Sequence, residues 1–281
     1  MKKLAYLLLA VLAFCGANTL KAQGLKMPQP SSTQTIIQDF GLGQITITYS
    51  RPNLKGRKML GGQEPYGEVW RTGANAATTI KFTDDVTLEG NKVAAGTYSL
   101  FTIPGAAEWT IILNKVVKQW GAYTYKADSD VLRFKVKPIV MKEPLETFTI
   151  QFANVDPTTA QMHLMWEHTA IAIHLTTDID ARVVASIDEA MKGAKKPYFA
   201  AAQYYYANGH DLNKALEWIT ALEATQPKSE EIKVWKARIL LKMGKKAEAL
   251  ATAEEGVRLS KENKNGEYER LNAAVVAQAK S

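Results

Sequence analysis

Cysteine is almost missing from this chain: Cys15 is the single one among 281 residues. A disulfide framework is therefore excluded, and stability has to come from a buried core. Long apolar runs are missing too, because no stretch after Phe14 is hydrophobic enough to cross a bilayer as a helix. Charge of one sign is scarce, the formal net charge being +7. Three of those positive charges, Lys2, Lys3 and Lys21, lie in the first 23 residues with no acid beside them, leaving +4 for the rest. Residues 24–181 balance 15 basic against 15 acidic side chains, and residues 182–281 carry 17 against 13. That excess is too small and too interleaved with glutamate for a nucleic-acid footprint.

Catalytic signatures are missing as well. No G-x-S-x-G nucleophile elbow occurs, and the glycine-rich stretch lacks the G-K-[ST] ending of a phosphate loop. The chain has four histidines. His163 and His168 frame Glu167, but strand periodicity puts the two imidazoles on opposite faces, whereas a zinc motif stacks them on one helix face. His174 falls on a polar strand face and His210 in an inter-helix turn. The sequence thus points to no metal, no cofactor and no covalent hydrolase. Carboxylates for glycoside cleavage (Glu64, Glu68, Asp84, Asp85, Glu167) have no readable spacing, and solvated turn acids are the simpler account of them.

What is present begins with a secretory layout. Lys2 and Lys3 precede an apolar run from Leu4 to Phe14, and Leu20-Lys21-Ala22 offers a cleavage site before Gln23. A signal peptide over 1–23 and an exported, periplasmic or secreted product are expected. A lipoprotein acylated at Cys15 is disfavoured, since Phe14 is bulky where a small residue is needed. The 258 residues left when 23 are removed from 281 are ample for a core.

From Thr33 to Thr177 the pattern has period two. Ile45, Ile47 and Tyr49 alternate with Thr46, Thr48 and Ser50, and similar runs recur over 78–82, 97–103, 109–114, 131–137, 148–152, 162–166 and 171–175. About ten short strands with Gly, Pro and Asp turns predict an antiparallel β-sandwich over 24–178, preferred to a barrel. The stretch from Tyr49 to Asn75 is too long for a turn and carries Arg51, Lys55, Arg57 and Lys58 without an acid, then Tyr66, Trp70, Arg71 and Asn75. With Trp120 in the irregular segment that follows, Arg51, Arg57, Tyr66, Trp70, Arg71 and Asn75 form the candidate ligand-binding set. Aromatic faces and guanidinium forks suit an anionic or carbohydrate ligand. Trp109 and Trp166 are in phase with apolar strand neighbours and belong to the core.

The strings YSRPNLKGRKMLGG, PYGEVWRTGANAATTIKF, AAGTYSLFTIPG and EWTIILNK resemble a family of secreted proteins from Gram-negative bacteria, catalogued as domain of unknown function 2911. The resemblance spans roughly residues 30–175. It implies an exported β domain and carries over no catalytic residue. From Ile179 alternation stops and apolar residues recur at three and four. Ala215 and Ala249 are 34 apart, each after a glycine and before a leucine, which resembles the tetratricopeptide period. A tetratricopeptide-like helical region is expected over 179–281, with Glu267–Ala279 as a capping helix. Two repeats are too few to stand alone, so this part is expected to depend on the β domain. The sequence reads as an exported binding module for a small-molecule, glycan or anionic ligand, its helices available to a protein partner. A glycan or peptide hydrolase and a structural assembly component are the alternatives, and no membrane span or nucleic-acid partner is expected.

Overall fold

A computed structural model describes residues 27–281. The proposed signal peptide and Cys15 lie outside them. The chain divides into two compact units between Asp178 and Ile179.

The first unit is an antiparallel β-sandwich. One sheet has the order β1 (Ser32–Phe40), β2 (Gly43–Arg51), β3 (Ala74–Phe82), β6 (Gly96–Ile103), β7 (Trp109–Asn114), β8 (Asp130–Val136). The other runs β5 (Asn91–Val93), β4 (Val86–Leu88), β10 (Thr159–Thr176), β9 (Ile139–Ala153). Alternation decides which side chains meet between them. Ile45, Ile47 and Tyr49 of β2, Ile80 and Phe82 of β3, and Ile111 and Leu113 of β7 share one core with Phe148 and Ile150 of β9 and Met162, Leu164 and Trp166 of β10. Tyr49 meets Phe148 edge-on at 5.7 Å across the sheets. A closed barrel has no such pair of facing sheets.

β10 combines the two apolar runs at 162–166 and 171–175 in one element. At about 3.3 Å per residue, a straight strand would hold Gln161 and His174 some 40 Å apart. Gln161 Nε2 is instead 3.4 Å from His174 Nδ1, and the Thr177 amide donates to the Thr158 carbonyl at 3.0 Å. The strand therefore doubles back around Glu167, whose φ is +51°. Register shifts against β9 flank the same residue. They explain why inward positions change from even numbers (162, 164, 166) to odd (171, 173, 175).

The second unit has six helices: α1 (Asp180–Ala190), α2 (Tyr198–Asn208), α3 (Leu212–Thr225), α4 (Glu230–Lys242), α5 (Lys246–Glu262) and α6 (Gly266–Lys280). Left-handed Gly209 and Gly244, at φ 74° and 78°, end α2 and α4. The side chains of Asp211, Ser229 and Asn265 cap the starts of α3, α4 and α6. Ala215 and Ala249 are fully buried where helices approach closely. His210 donates from the α2–α3 turn to Asp180 Oδ1 of α1 at 2.7 Å, assigned with Nε2 protonated, and stacks on Tyr204. No described helix is long and apolar enough to cross a membrane.

Candidate functional site

The segment between β2 and β3 is laced to the sandwich. Met59, Leu60 and Trp70 enter the core. The Trp70 indole lies flat on Trp166 (centroids 5.6 Å apart, planes 11°), with Phe148 and Trp109 edge-on at 5.0 and 6.3 Å. It is 2% exposed, and its Nε1 donates to the Gly73 carbonyl at 3.1 Å. Trp70 therefore offers no face to a ligand and leaves the candidate set, because three aromatic neighbours already cover its ring. Backbone bonds to Thr102 in both directions, at 2.7 and 2.9 Å, hold it there. Glu167 fixes the same segment: one carboxylate oxygen accepts from the Met59 and Leu60 amides at 2.5 and 3.3 Å.

The arginines are engaged locally. Arg51 donates from Nε to the Phe148 carbonyl (3.1 Å) and from Nη2 to Thr149 Oγ1 (2.8 Å), tying β2 to β9. Arg57 uses all three nitrogens within its own loop, on the Asn53 and Leu54 carbonyls and Gln63 Oε1. Arg71 donates from Nη1 to the Asn75 carbonyl at 3.3 Å. It also lies close enough to Glu64 to oppose electrostatically the rise in that carboxyl's pKa, which burial drives. Tyr66 is half-exposed, its ring against Gly61. The structure does not gather Arg51, Arg57 and Tyr66 into one site, while Arg71 stays beside Asn75, its Nη1 3.2 Å from where a Cβ on Gly121 would stand.

It does bring Asn75 and Trp120 together. On the outer face of the first sheet they border a groove of about 400 Å³, lined also by Thr33, Thr48, Ser50 and Thr79 from adjacent strands and by Gln29. Cross-strand pairing builds the hydroxyl floor: Thr33 faces Ser50, Thr35 faces Thr48, and Thr48 faces Thr79. Their oxygens lie 3.3 Å apart in the first pair and 3.0 Å in the second. Asn75 adopts φ +60° at a register shift in β3, and its Nδ2 donates to Ser50 Oγ at 3.2 Å. No charged side chain lines the groove. The alternation of Thr46, Thr48 and Ser50 was the sequence signal for this floor, read only as the polar side of a strand.

Trp120 is placed by the segment that covers the rest of that face. Ala122 and Tyr125 pack over Ala77, Phe101 and Ile112 as a second small core. Tyr125 donates to Asp130 Oδ2 at 2.6 Å, where Arg133 Nε also ends at 2.6 Å. The Ala77 amide donates to the Gln119 carbonyl and the Gly121 amide to the Asn75 carbonyl, both at 3.0 Å. The Trp120 backbone is thus pinned on both sides while its indole is 65% exposed. A flat aromatic beside hydroxyls and an amide can stack on C–H surfaces and exchange hydrogen bonds with a polar ligand.

Elsewhere, a cavity of about 510 Å³ among α3, α4 and α5 holds Lys233, Lys236, Glu223 and Glu255. Lys233 bonds to Glu223 and Glu255 at 2.7 and 2.8 Å, and Lys236 to Glu223 at 2.6 Å. Burial pushes the Lys233 pKa down, but the two carboxylates reverse it and the net shift is upward. Two cations and two anions balance there. His163, His174 and Gln161 form an amide-bridged trio on the second sheet, His163 Nε2 lying 3.1 Å from Gln161 Oε1. Among the described residues no three His, Cys, Asp or Glu side chains converge as metal ligands.

No curated protein and no solved structure matches the chain. A family model described as "Protein of unknown function (DUF2911)" matches residues 31–175, which takes in β1 through nearly all of β10, the groove and the laced segment. The match covers more than half of the chain, which therefore belongs to the DUF2911 family.

Proposed function

We propose that this protein is an exported binding module whose ligand is a neutral, polyhydroxylated molecule of the carbohydrate class, held in the groove on β1–β3 with one face against Trp120. The observation that carries the reading is the groove's lining: hydroxyls, amides, the small apolar Ala76 and Ala77 and an open indole, with no charge among them. An anionic ligand is less well served, because Arg51 and Arg57 are bonded to their own loop and strand neighbours. Export rests on the layout of residues 1–23. The helical pairs α2–α3 and α4–α5, with buried alanines 34 apart, support a tetratricopeptide-like module that docks a protein partner.

The test is titration calorimetry with a panel of neutral oligosaccharides. Trp120→Ala should weaken binding at least about tenfold, the scale of one lost aromatic platform, with an unchanged melting temperature. Binding that ignores Trp120, or no binding across the panel, would overturn the assignment. A second reading, glycan or peptide hydrolysis, draws on Glu64, whose carboxyl is held protonated to higher pH by burial, against the opposing charge of Arg71. It predicts product release that disappears in Glu64→Gln.

A further inference from the structure

Each sheet of the sandwich has two edges, and three of the four carry features that deter another strand. β5 is only three residues long. β9 contains Pro144 between charged Lys142, Glu143 and Glu146. β8 carries Arg133 and Lys135, with Lys137 just beyond it. Short edges, prolines and charges are the usual protection against edge-to-edge pairing. β1 has one of them only, the charge of Asp39 next to its end. It is nine residues long, pairs only with β2 among the described residues, and from Ser32 to Gln38 contains neither charge nor proline. Its outward Ile37 is 62% exposed, and its inward Ile36 packs against the flank of the core while only partly buried.

We propose that the free edge of β1 is an interface for a second copy of this chain. The two β1 strands pair antiparallel about a two-fold axis at Ile36, joining two six-stranded sheets into one. The sequence is self-complementary in that register. Ile36 meets its own copy on the core side, Thr35 faces Ile37 on the outer side, and Gln34 faces Gln38. Asp39, the only charged residue of β1, lies opposite Thr33. The two Asp39 carboxylates end up six positions apart, about 20 Å at strand rise and well beyond a Debye length. One pairing therefore covers both isoleucines, satisfies the edge amides and brings no like charges together. Any unrelated extended peptide would satisfy the amides, but it would have to supply that side-chain match by chance. A nine-residue edge is a small contact, so association in the micromolar range is expected.

Sedimentation of the purified chain from about 1 to 300 µM, a range bracketing micromolar affinity, should show a reversible monomer–dimer equilibrium. Ile37→Lys places two ammonium groups on neighbouring positions beside the axis, and should raise the dimer Kd at least about tenfold. Because Ile37 points to solvent, its circular dichroism and melting should stay as in the parent. A chain that remains monomeric throughout, or a dimer indifferent to Ile37→Lys, overturns the proposal. The register is read separately with Thr35→Cys/Ile37→Cys in a Cys15→Ser background. A mild oxidant should give a covalent dimer, while Gln34→Cys/Ile37→Cys, whose thiols point to opposite faces, should not. Failure of the first pair to cross-link, or equal cross-linking of both, also sinks it.

Discussion

Trp70 and Trp120 looked alike in sequence, each in an irregular segment with glycine close by. The structure separates them because Trp70 meets Trp166, Trp109 and Phe148, partners distant in the chain that no local period reports. Trp70→Ala should cost about 3–5 kcal/mol, the usual penalty for emptying an aromatic core position, read as a lower denaturation midpoint with little change in slope. His163 makes a different test. Burial, followed by the nearby His174, holds its imidazole below the ordinary 6.5. The folded chain then binds fewer protons than the unfolded chain just below that pH. This group costs nothing well above 6.5, and stability is lost as pH falls through 6.5 toward the lower folded value. His163→Gln should flatten the acid-side fall in melting temperature; an unchanged profile would mean that the imidazole is freely solvated.

Among elements, the polar and apolar sides of the strands were readable from residues such as Ile45, Thr46, Ile47 and Thr48, since alternation is local. The fold-back in β10 was not. Sequence showed two apolar runs separated by Glu167-His168-Thr169-Ala170 but could not say that Glu167 would reach the Met59 and Leu60 amides. Glu167→Gln keeps the size and removes the charge from those bonds, so a loss of about 1–3 kcal/mol is expected, with the 53–73 segment gaining amide exchange first. Among the helices, α5 and α6 meet through Gly256, where an added Cβ would stand 2.0 Å from Asn272 Oδ1. That oxygen is buried and has no partner, while Asn272 Nδ2 donates to the Glu230 and Tyr268 carbonyls. Gly256→Ala should therefore destabilise the helical unit by about 1–3 kcal/mol despite alanine's better helix propensity, measured by helical ellipticity on heating.

For the whole molecule, the change of texture near Ile179 was legible, because a shift from period two to spacings of three and four needs only neighbouring residues. The helical count was not, since α1 lies ahead of the two 34-residue units. Val183, Val184 and Ile187 of α1 pack with the cluster of α2–α4, adding cover that two repeats and a cap would lack. Residues 27–178 should fold alone on the strength of the shared sandwich core. Residues 179–281 should also melt cooperatively, against the sequence expectation of dependence; a fragment without a thermal transition would restore that dependence. The groove was half legible: its hydroxyl floor lay in a visible pattern, but its indole comes from a segment with no periodicity. That arrangement has an optical consequence. Trp120 is the only exposed tryptophan among the described residues, and the stacked pair Trp70–Trp166 is closed off from water. In the fragment 27–178, which leaves out the half-buried Trp218 and Trp235, red-edge excitation and iodide quenching would therefore report chiefly on Trp120, so occupancy of the groove can be followed as a blue shift in emission without attaching any label.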